Sequence, residues 1–231
     1  MRFNAFTAKF VRKTVLILLI FVTVMFTFSC SNNTTEFTVV IQDSGASSVT
    51  SESLESLKQA LLVRLGAFYV NSDNVEFSEN GANSLTVRVN SQALSHDELS
   101  VIVSNDIITF RDSGGKVFMD NSDIEAVAID FDLENSKGEN GCYIKITLTD
   151  KGSDAFLSQS RITAALTDEN DRFIGIFCGD EQVSAPKISS PVITNDIMLT
   201  GDDYTIASVS LLYQKLFCAL NTLPMKVSLL E

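Results

Sequence analysis

The chain has 231 residues, of which 17 are basic and 29 are acidic, so its formal net charge is −12 at pH 7. An acidic surface repels nucleic-acid phosphates and anionic lipid headgroups, which argues against nucleic acid as a partner. Hydrophobic residues make up 45% of the sequence, enough for a core in one compact domain or two small ones.

The first 29 residues have the three-part pattern of a bacterial export signal. Residues 2–13 carry four basic side chains and no acid, residues 15–26 are mostly apolar, and Ser29-Cys30 closes the segment. The apolar run is shorter than the roughly 20 residues that a membrane-spanning helix needs. Ser29-Cys30 resembles the lipobox of bacterial lipoproteins, in which the Cys thiol receives a diacylglyceryl group and becomes the new N-terminus.

We therefore expect residues 1–29 to be a signal peptide and Cys30 to be the lipidation site. The remainder would then be anchored by its lipid on the extracytoplasmic face of the cell membrane. An uncleaved membrane anchor and free secretion stay open as alternatives, and all three place the remainder outside the cytoplasm. Without residues 1–29 the net charge is −16, which suits a soluble body held by a lipid.

Residues 30–36 predict a polar tether, and residues 37–112 predict a first folded unit. β-branched runs and period-two alternation indicate its strands, and apolar residues at steps of three and four indicate its first helix. The predicted elements are a strand at 37–41, a helix at 54–68, a hairpin at 75–77 and 85–89 around Asn80-Gly81, a helix from 96 to about 104, and a strand at 107–110.

Two features of this unit predict its architecture. Ser95 and Glu98 have the spacing of a capping box, in which each side chain bonds the backbone N–H of the other residue. His96 lies in the same first turn and is expected to be solvated. The order strand–helix–strand–strand–helix–strand is that of the ferredoxin-like motif.

Residues 113–202 predict a second unit, and residues 203–231 predict a final helix and strand that pack with either unit. Asp150 or Ser153 is expected to cap the helix that contains Phe156, and Leu216 is expected on the buried face of the final helix. The predicted elements are strands at 124–131 and 143–148 around a turn at 135–141, a helix through 155–166, a strand at 173–178, short extended pieces between 188 and 199, a helix at 204–220 and a strand at 225–230.

The sequence offers little catalytic or metal-binding chemistry. Cys142, Cys178 and Cys218 lie in apolar surroundings and are expected to be small buried hydrophobes; their odd number leaves at least one unpaired unless a partner chain intervenes. With one histidine, His96, neither a Ser-His-Asp nor a Cys-His site is expected. We predict no enzyme, no metal and no cofactor.

Two carboxylate patterns keep alternatives open. The acid pairs Asp168-Glu169 and Asp202-Asp203 leave a two-carboxylate glycosidase as an alternative, although an acidic surface supplies such pairs by chance. Asp130, Asp132 and Glu134 alternate along a strand end and leave a cation site as another. No glycine-bearing calcium loop surrounds them, which favours a solvated strand face.

Four segments in order carry a family resemblance. They are Thr149–Phe156, Val183–Ile188 with its Ser-Ala-Pro-x-Ile pattern, Ile197–Thr205 with a Gly followed by an aromatic residue and Thr, and Asn221–Pro224. Together they resemble the large extracytoplasmic domain of the SecD subunit of the SecD/SecDF protein-export family. The helix over Leu57–Val70, with its Arg64-Leu65 pair, is similar to the first helix of that domain.

The resemblance implies an α+β fold with a ferredoxin-like base (37–112) and an inserted α+β head (113–202). Family members continue into transmembrane helices that couple ion flow to motion. No second apolar segment of about 20 residues follows in these 231 residues. We therefore expect a stand-alone domain without motor activity.

The function implied by the resemblance is non-catalytic binding of unfolded secretory polypeptide or of a Sec translocon component. The alternative is a surface or structural lipoprotein that uses the same fold for an unrelated protein partner. Two prolines, Pro186 and Pro191, interrupt regular pairing beside the strongest signature. The candidate contact residues are Val183, Ser184, Ala185, Pro186 and Ile188.

Overall fold

The structure is a computed structural model that describes residues 33–42, 49–81, 83–90, 92–134, 140–201 and 204–230, with only the backbone for 132–134 and 140. The predicted signal peptide and residues 30–32 of the predicted tether, Cys30 included, lie outside these residues, as do most of the predicted turn at 135–141 and the pair Asp202-Asp203. Within the described ranges, no helix combines the length and the apolar character that crossing a membrane requires.

Eleven strands and four α-helices make up the described chain. In order they are β1 (Thr35–Ile41), α1 (Ser51–Gly66), β2 (Val75–Glu79), β3 (Ser84–Val89), α2 (His96–Ile102), β4 (Ile108–Arg111), β5 (Val117–Asp120), β6 (Ile124–Glu134), β7 (Asn140–Leu148), α3 (Asp150–Ala164), β8 (Gly175–Cys178), β9 (Glu181–Ser184), β10 (Asp196–Leu199), α4 (Ile206–Leu220) and β11 (Val227–Leu229).

The first sheet has the strand order β11-β1-β3-β2, and all of its pairings are antiparallel. This is the order of a ferredoxin-like sheet, with β11 in the place of the fourth strand. The sequence pattern predicted the strand at 107–110 in that place, and this prediction is wrong. Residues 108–111 form β4 and pair with β5 and β8 in another sheet.

The physical reason is an insertion that no local signal marks. β3 is followed by α2 and then by β4–β10 with α3, before α4 returns the chain to β11 beside β1. The expected α+β fold, a ferredoxin-like base with an inserted α+β head, is confirmed by this topology. Val103 lies in the first core and Ile108 lies in the second, so the chain passes from one core to the other over residues 104–107.

Each unit has its own core. The first unit consists of β1, α1, β2, β3, α2 and β11, and its helices cover one face of the sheet. The second unit consists of β4–β10 and α3, with a four-stranded sheet β5-β4-β8-β9 and a three-stranded sheet β10-β7-β6. Helix α4 serves both, because Cys218 packs in the first core while Val209, Leu216 and Ala219 pack in the second.

Several local predictions are confirmed. Phe156 is 3% exposed and Leu216 is fully buried. The hairpin β2–β3 turns at Gly81, whose φ of 85° suits glycine. The capping box also forms: Glu98 N donates to Ser95 Oγ over 3.2 Å, and Ser95 N donates to Glu98 Oε2 over 2.7 Å.

The cap of α3 differs from the prediction. Thr149, rather than Asp150 or Ser153, accepts the hydrogen bond of the Gly152 N–H at 3.1 Å. Thr149 N donates in addition to the carbonyl oxygen of Asp123 over 3.0 Å. This long-range contact fixes the backbone of Thr149 where the chain leaves β7. Thr149 therefore becomes the N-cap, one residue before the predicted Asp150.

Candidate functional site

The predicted contact segment lies at an edge of the second unit. β9 is the last strand of the sheet β5-β4-β8-β9, and residues 185–188 continue it past Ser184. Ala185 is exposed, while Val183, Ser184 and Pro186 are half-buried. An edge strand presents backbone groups that a neighbouring chain can pair with, so this segment is a candidate site for strand addition.

The backbone pairing shows which groups face outwards. Ile174 N donates to Pro186 O over 3.2 Å, and Ile188 N donates to Arg172 O over 2.8 Å. Between these bonds Phe173 and Lys187 form an isolated bridge. In an antiparallel pair with this pattern, the N–H and C=O of Ala185 and Lys187 point to the open side of the edge. Pro186 faces the sheet, and its missing N–H removes one rung of the ladder.

Ile188 has a different role from the one predicted. It is 4% exposed and packs in the second core, so it anchors the segment and is not accessible to a partner docked on the surface. The segment is held again after Pro191, where Val192 N donates to Ser160 Oγ over 2.9 Å. Ile193, directly after this bond, is 83% exposed. The anchored ends leave Ala185–Lys187 as the accessible part.

A fixed cation on the same sheet was not predicted from the sequence. Arg111 on β4 places its Cζ 4.1 Å from the ring centroid of Phe177 on β8. Its Nε donates to Thr109 Oγ1 over 3.1 Å, and its Nη2 donates to Gly179 O over 3.0 Å. The only local signal was the alternation Thr109-Phe110-Arg111, which puts Thr109 and Arg111 on one face.

A second arginine, Arg64 on α1, is fully buried where the two units meet. Its Nη1 donates to Ile102 O and Ser104 O, each over 2.7 Å, and its Nε donates to Asn221 O over 2.8 Å. These carbonyls belong to the ends of α2 and α4 and to the two chain segments that connect the units. Burial lowers the pKa of the guanidinium, which stays charged because its ordinary pKa is so high.

The titratable groups are scattered over the part of the chain that the structure describes. No three His, Cys, Asp or Glu side chains group closely enough there to hold a metal ion. Asp130 Oδ2 lies 3.9 Å from Lys145 Nζ, and the side chains of Asp132 and Glu134 are outside the described residues. His96 lies in the first turn of α2, as predicted.

The three described cysteines are free thiols. Cys178 and Cys218 are buried as predicted, whereas Cys142 is half-buried and points its Sγ at Tyr204 O, 3.8 Å away. Burial raises the pKa of the Cys178 thiol to about 11 and that of the Cys218 thiol to about 12. Both thiols are therefore protonated and unreactive at neutral pH.

Packing explains several of the residues that carry the family resemblance. A Cβ on Gly152 would overlap the carbonyl oxygen of Asp123, which docks on the first turn of α3. A Cβ on Gly201 would lie 2.8 Å from the Tyr204 ring. The carbonyl oxygen of Asn221 accepts a hydrogen bond from Arg64 Nε, and the side-chain Nδ2 of Asn221 donates to Phe217 O over 2.9 Å. These residues act by shaping the fold.

Comparison with known proteins gives structural neighbours alone. No family model matches the sequence, and no curated protein matches it. Two solved structures match 85% of the chain at 14% sequence identity. One is SecDF in its super-membrane-facing form, with a TM-score of 0.60; the other is from a membrane component SecDF that enhances protein export, with a TM-score of 0.58.

The extent of the match differs between these two structures. The chain spans 29% of the length of the first and 98% of the length of the second. At 14% identity the likeness is one of fold, and it agrees with the ferredoxin-like topology described above.

Proposed function

We propose that this chain is a non-catalytic, membrane-anchored extracytoplasmic domain that binds extended polypeptide in protein export. The observation that carries the proposal is the open edge at Glu181–Lys187, where the backbone groups of Ala185 and Lys187 face outwards. The fold likeness to SecDF supports the export context. A binding mode based on backbone hydrogen bonds accepts many sequences, as a protein that handles unfolded chains must.

The structure of the segment fits strand addition better than a fixed pocket. Pro186 ends regular pairing with β8, but the bonds of Ile174 and Ile188 hold the segment extended on both sides of it. An incoming strand therefore meets a template that is already ordered, which lowers the entropy cost of binding. The short length of this edge also limits pairing with further copies of itself.

Proline scanning tests the site. Lys187→Pro removes an outward N–H without removing a bond inside the sheet, whereas Lys187→Ala keeps that N–H and removes only the side chain. We expect an unfolded secretory polypeptide, titrated into the whole chain in detergent micelles, to protect the amides of residues 181–188 from exchange. Lys187→Pro should weaken binding by about tenfold, the equivalent of one lost hydrogen bond, and Lys187→Ala should weaken it much less.

Two results contradict this proposal. If the polypeptide protects no amide at high micromolar concentration, the chain does not bind unfolded protein. The alternative function, a surface lipoprotein with an unrelated partner, would then be favoured. If protection appears elsewhere and Lys187→Pro binds as well as the wild type, polypeptide binding stands but the β9 edge is not its site.

The membrane anchor is a separate part of the proposal and rests on the sequence. We expect cells grown with a labelled fatty acid to label the wild-type protein and not Cys30→Ser. The same substitution should release the protein from the membrane fraction or leave its signal uncleaved. Equal labelling of both proteins, or of neither, would favour an uncleaved anchor.

A further inference from the structure

One end of the first unit holds the start of β1 and the segment that follows α1. Thr35 at the start of β1 pairs with Val89 at the end of β3. Thr35 Oγ1 donates to Gln92 O over 3.0 Å, and Gln92 Nε2 donates to Phe68 O over 2.8 Å. These two bonds join Thr35 to the chain that leaves α1. We call the part of the unit around Thr35, Gln92 and Phe68 the Thr35 end.

The large exposed hydrophobic side chains of the first unit lie towards the Thr35 end. Tyr69, next to Phe68, is 79% exposed, and Val63 is exposed in the last turn of α1. Leu230 is exposed directly after β11, which runs towards the same end because it is antiparallel to β1. Among the described residues of the first unit, the opposite end, where β1 ends and α1 begins, carries no exposed side chain of this kind.

Tyr69 has a backbone conformation that its side chain disfavours. Its φ is 62°, in the left-handed region where glycine or asparagine usually ends a helix. Tyr69 N donates to Gly66 O over 3.0 Å and Val70 N donates to Leu65 O over 3.3 Å, so this conformation closes α1. No group of the described residues hydrogen-bonds the phenol oxygen. Neither the helix end nor a bond of the phenol therefore requires tyrosine here.

The Thr35 end is also the end nearest to the proposed membrane anchor. Cys30 precedes Thr35 by five residues, which span at most about 18 Å when fully extended. A domain on so short a tether meets the lipid surface most readily with the end at which the tether joins it. Tyrosine suits the boundary between lipid and water, because its ring is apolar and its hydroxyl can stay hydrated.

We propose that Tyr69 inserts its ring into the headgroup region of the membrane that holds the anchor, and so orients the first unit on that membrane. The inference rests on the anchor in the proposed function and adds a second, non-covalent contact to it. Val63 and Leu230 add apolar surface at the same end. The lipid surface is zwitterionic, because the net charge of −16 without residues 1–29 disfavours anionic headgroups.

The sequence contains no tryptophan, so Tyr69→Trp introduces a single fluorescent reporter at the proposed contact. The whole chain, purified from membranes with its anchor, is reconstituted into phosphatidylcholine vesicles. These vesicles contain a nitroxide-labelled lipid that quenches fluorescence either in the headgroup region or deep among the acyl chains. We expect the headgroup quencher to remove most of the emission of Tyr69→Trp and the deep quencher to remove much less.

Three further variants serve as controls. Ile162→Trp places the reporter at an exposed site on α3 of the second unit, where we expect neither lipid to quench it. Leu230→Trp, towards the Thr35 end, replaces Tyr69→Trp if the unfolding midpoint in denaturant shows that the latter has lost its fold. Tyr69→Gly should raise the unfolding midpoint, because glycine adopts this φ without strain. A lower midpoint would mean that the ring is kept for packing and would overturn the proposal.

Flotation of the vesicles separates failure of the inference from failure of the anchor. If the protein floats with the vesicles but Tyr69→Trp is not quenched, the inference is rejected and the anchor stands. Stronger quenching of Ile162→Trp than of Tyr69→Trp shows that the second unit meets the lipid instead, which also overturns the inference. Protein that does not float rejects the anchor and this inference together. Polypeptide binding at the β9 edge is tested separately and does not depend on these results.

Discussion

The outer faces of the two four-stranded sheets differ in how their polar groups are matched. In the first unit, Thr38 and Thr86 share a hydrogen bond of 2.9 Å across β1 and β3, and Arg88 Nη2 lies 2.7 Å from Glu36 Oε2. In the second unit, Arg111 faces outwards without an acidic partner among the described residues. The polar groups of the first face pair with each other, whereas the partners of Arg111 are two neutral oxygens and an aromatic ring.

Exposed apolar side chains show the same asymmetry. Within the described residues, Val63, Tyr69 and Leu230 are the large exposed hydrophobics of the first unit. The second unit and the start of α4 carry more of them: Val117, Phe131, Ile162, Ile193, Met198, Ile206 and Leu211. The exposed apolar side chains are therefore concentrated in the second unit and at the start of α4.

Arg64 joins these two regions, and its removal is the strongest test of the distinction. Arg64→Met leaves the carbonyls of Ile102, Ser104 and Asn221 without their donor but relieves a buried charge. We expect the free energy of unfolding to fall by about 2–4 kcal/mol, since each unpaired buried carbonyl costs about 1–3 kcal/mol. Denaturant melts measure the loss, and amide exchange should speed up first at residues 102–107 and 219–223.

Arg161→Met is the control for this change. Arg161 is exposed on α3, and its substitution should change the free energy of unfolding by less than about 0.5 kcal/mol. A loss for Arg64→Met that is no larger than for Arg161→Met would mean that Arg64 does not hold the junction.

Two glycine substitutions compare the packing of the units directly. Gly152→Ala in α3 forces a methyl group against the Asp123 carbonyl, and we expect a loss of about 1–3 kcal/mol in unfolding free energy. Gly66→Ala at the end of α1 meets nothing within 4 Å and should stabilise by up to about 1 kcal/mol, because alanine favours the helix. Thermal or denaturant melts of both variants suffice. A gain in unfolding free energy for Gly152→Ala together with a loss for Gly66→Ala would mean that the close contact lies in the first unit and not in the second.

Alkaline pH gives a smaller effect that reports on both cores. Cys218 belongs to the first core and Cys178 to the second. Their folded pKa values, about 12 and about 11, lie above the ordinary value of 9.0. The folded state therefore keeps protons that the unfolded state releases, so this contribution to stability is complete below pH 9 and is lost as pH rises towards 11–12.

Each thiol should lower the free energy of unfolding by about 1.4 kcal/mol per pH unit within that window. Denaturant melts of the wild type, Cys178→Ala and Cys218→Ala between pH 8.5 and 10.5, under reducing conditions, measure the slopes. Other groups titrate equally in all three proteins, so each variant should lose one thiol's share of the slope. Parallel curves for a variant and the wild type would show that its thiol is not protected by folding.

Local signals predicted the parts of the fold that depend on neighbours in the chain. The Ser95–Glu98 capping box, the turn at Gly81 and the apolar face of α4 around Leu216 each involve residues a few positions apart. The edge segment Val183–Pro186 was also found from the sequence, through its prolines and its resemblance to the SecD domain.

Tertiary structure decided the features that join distant residues. The fourth strand of the first sheet is β11, whose Leu229 pairs with Val39, and the whole second unit lies between them in the chain. Arg64 links the two units because its guanidinium donates hydrogen bonds to three carbonyls at the ends of two other helices. Arg111 is held in one place because Phe177 and Gly179 arrive from another part of the chain. Residue pattern encodes periodicity and capping over a few positions, whereas such contacts exist only once packing brings remote strands and helices together.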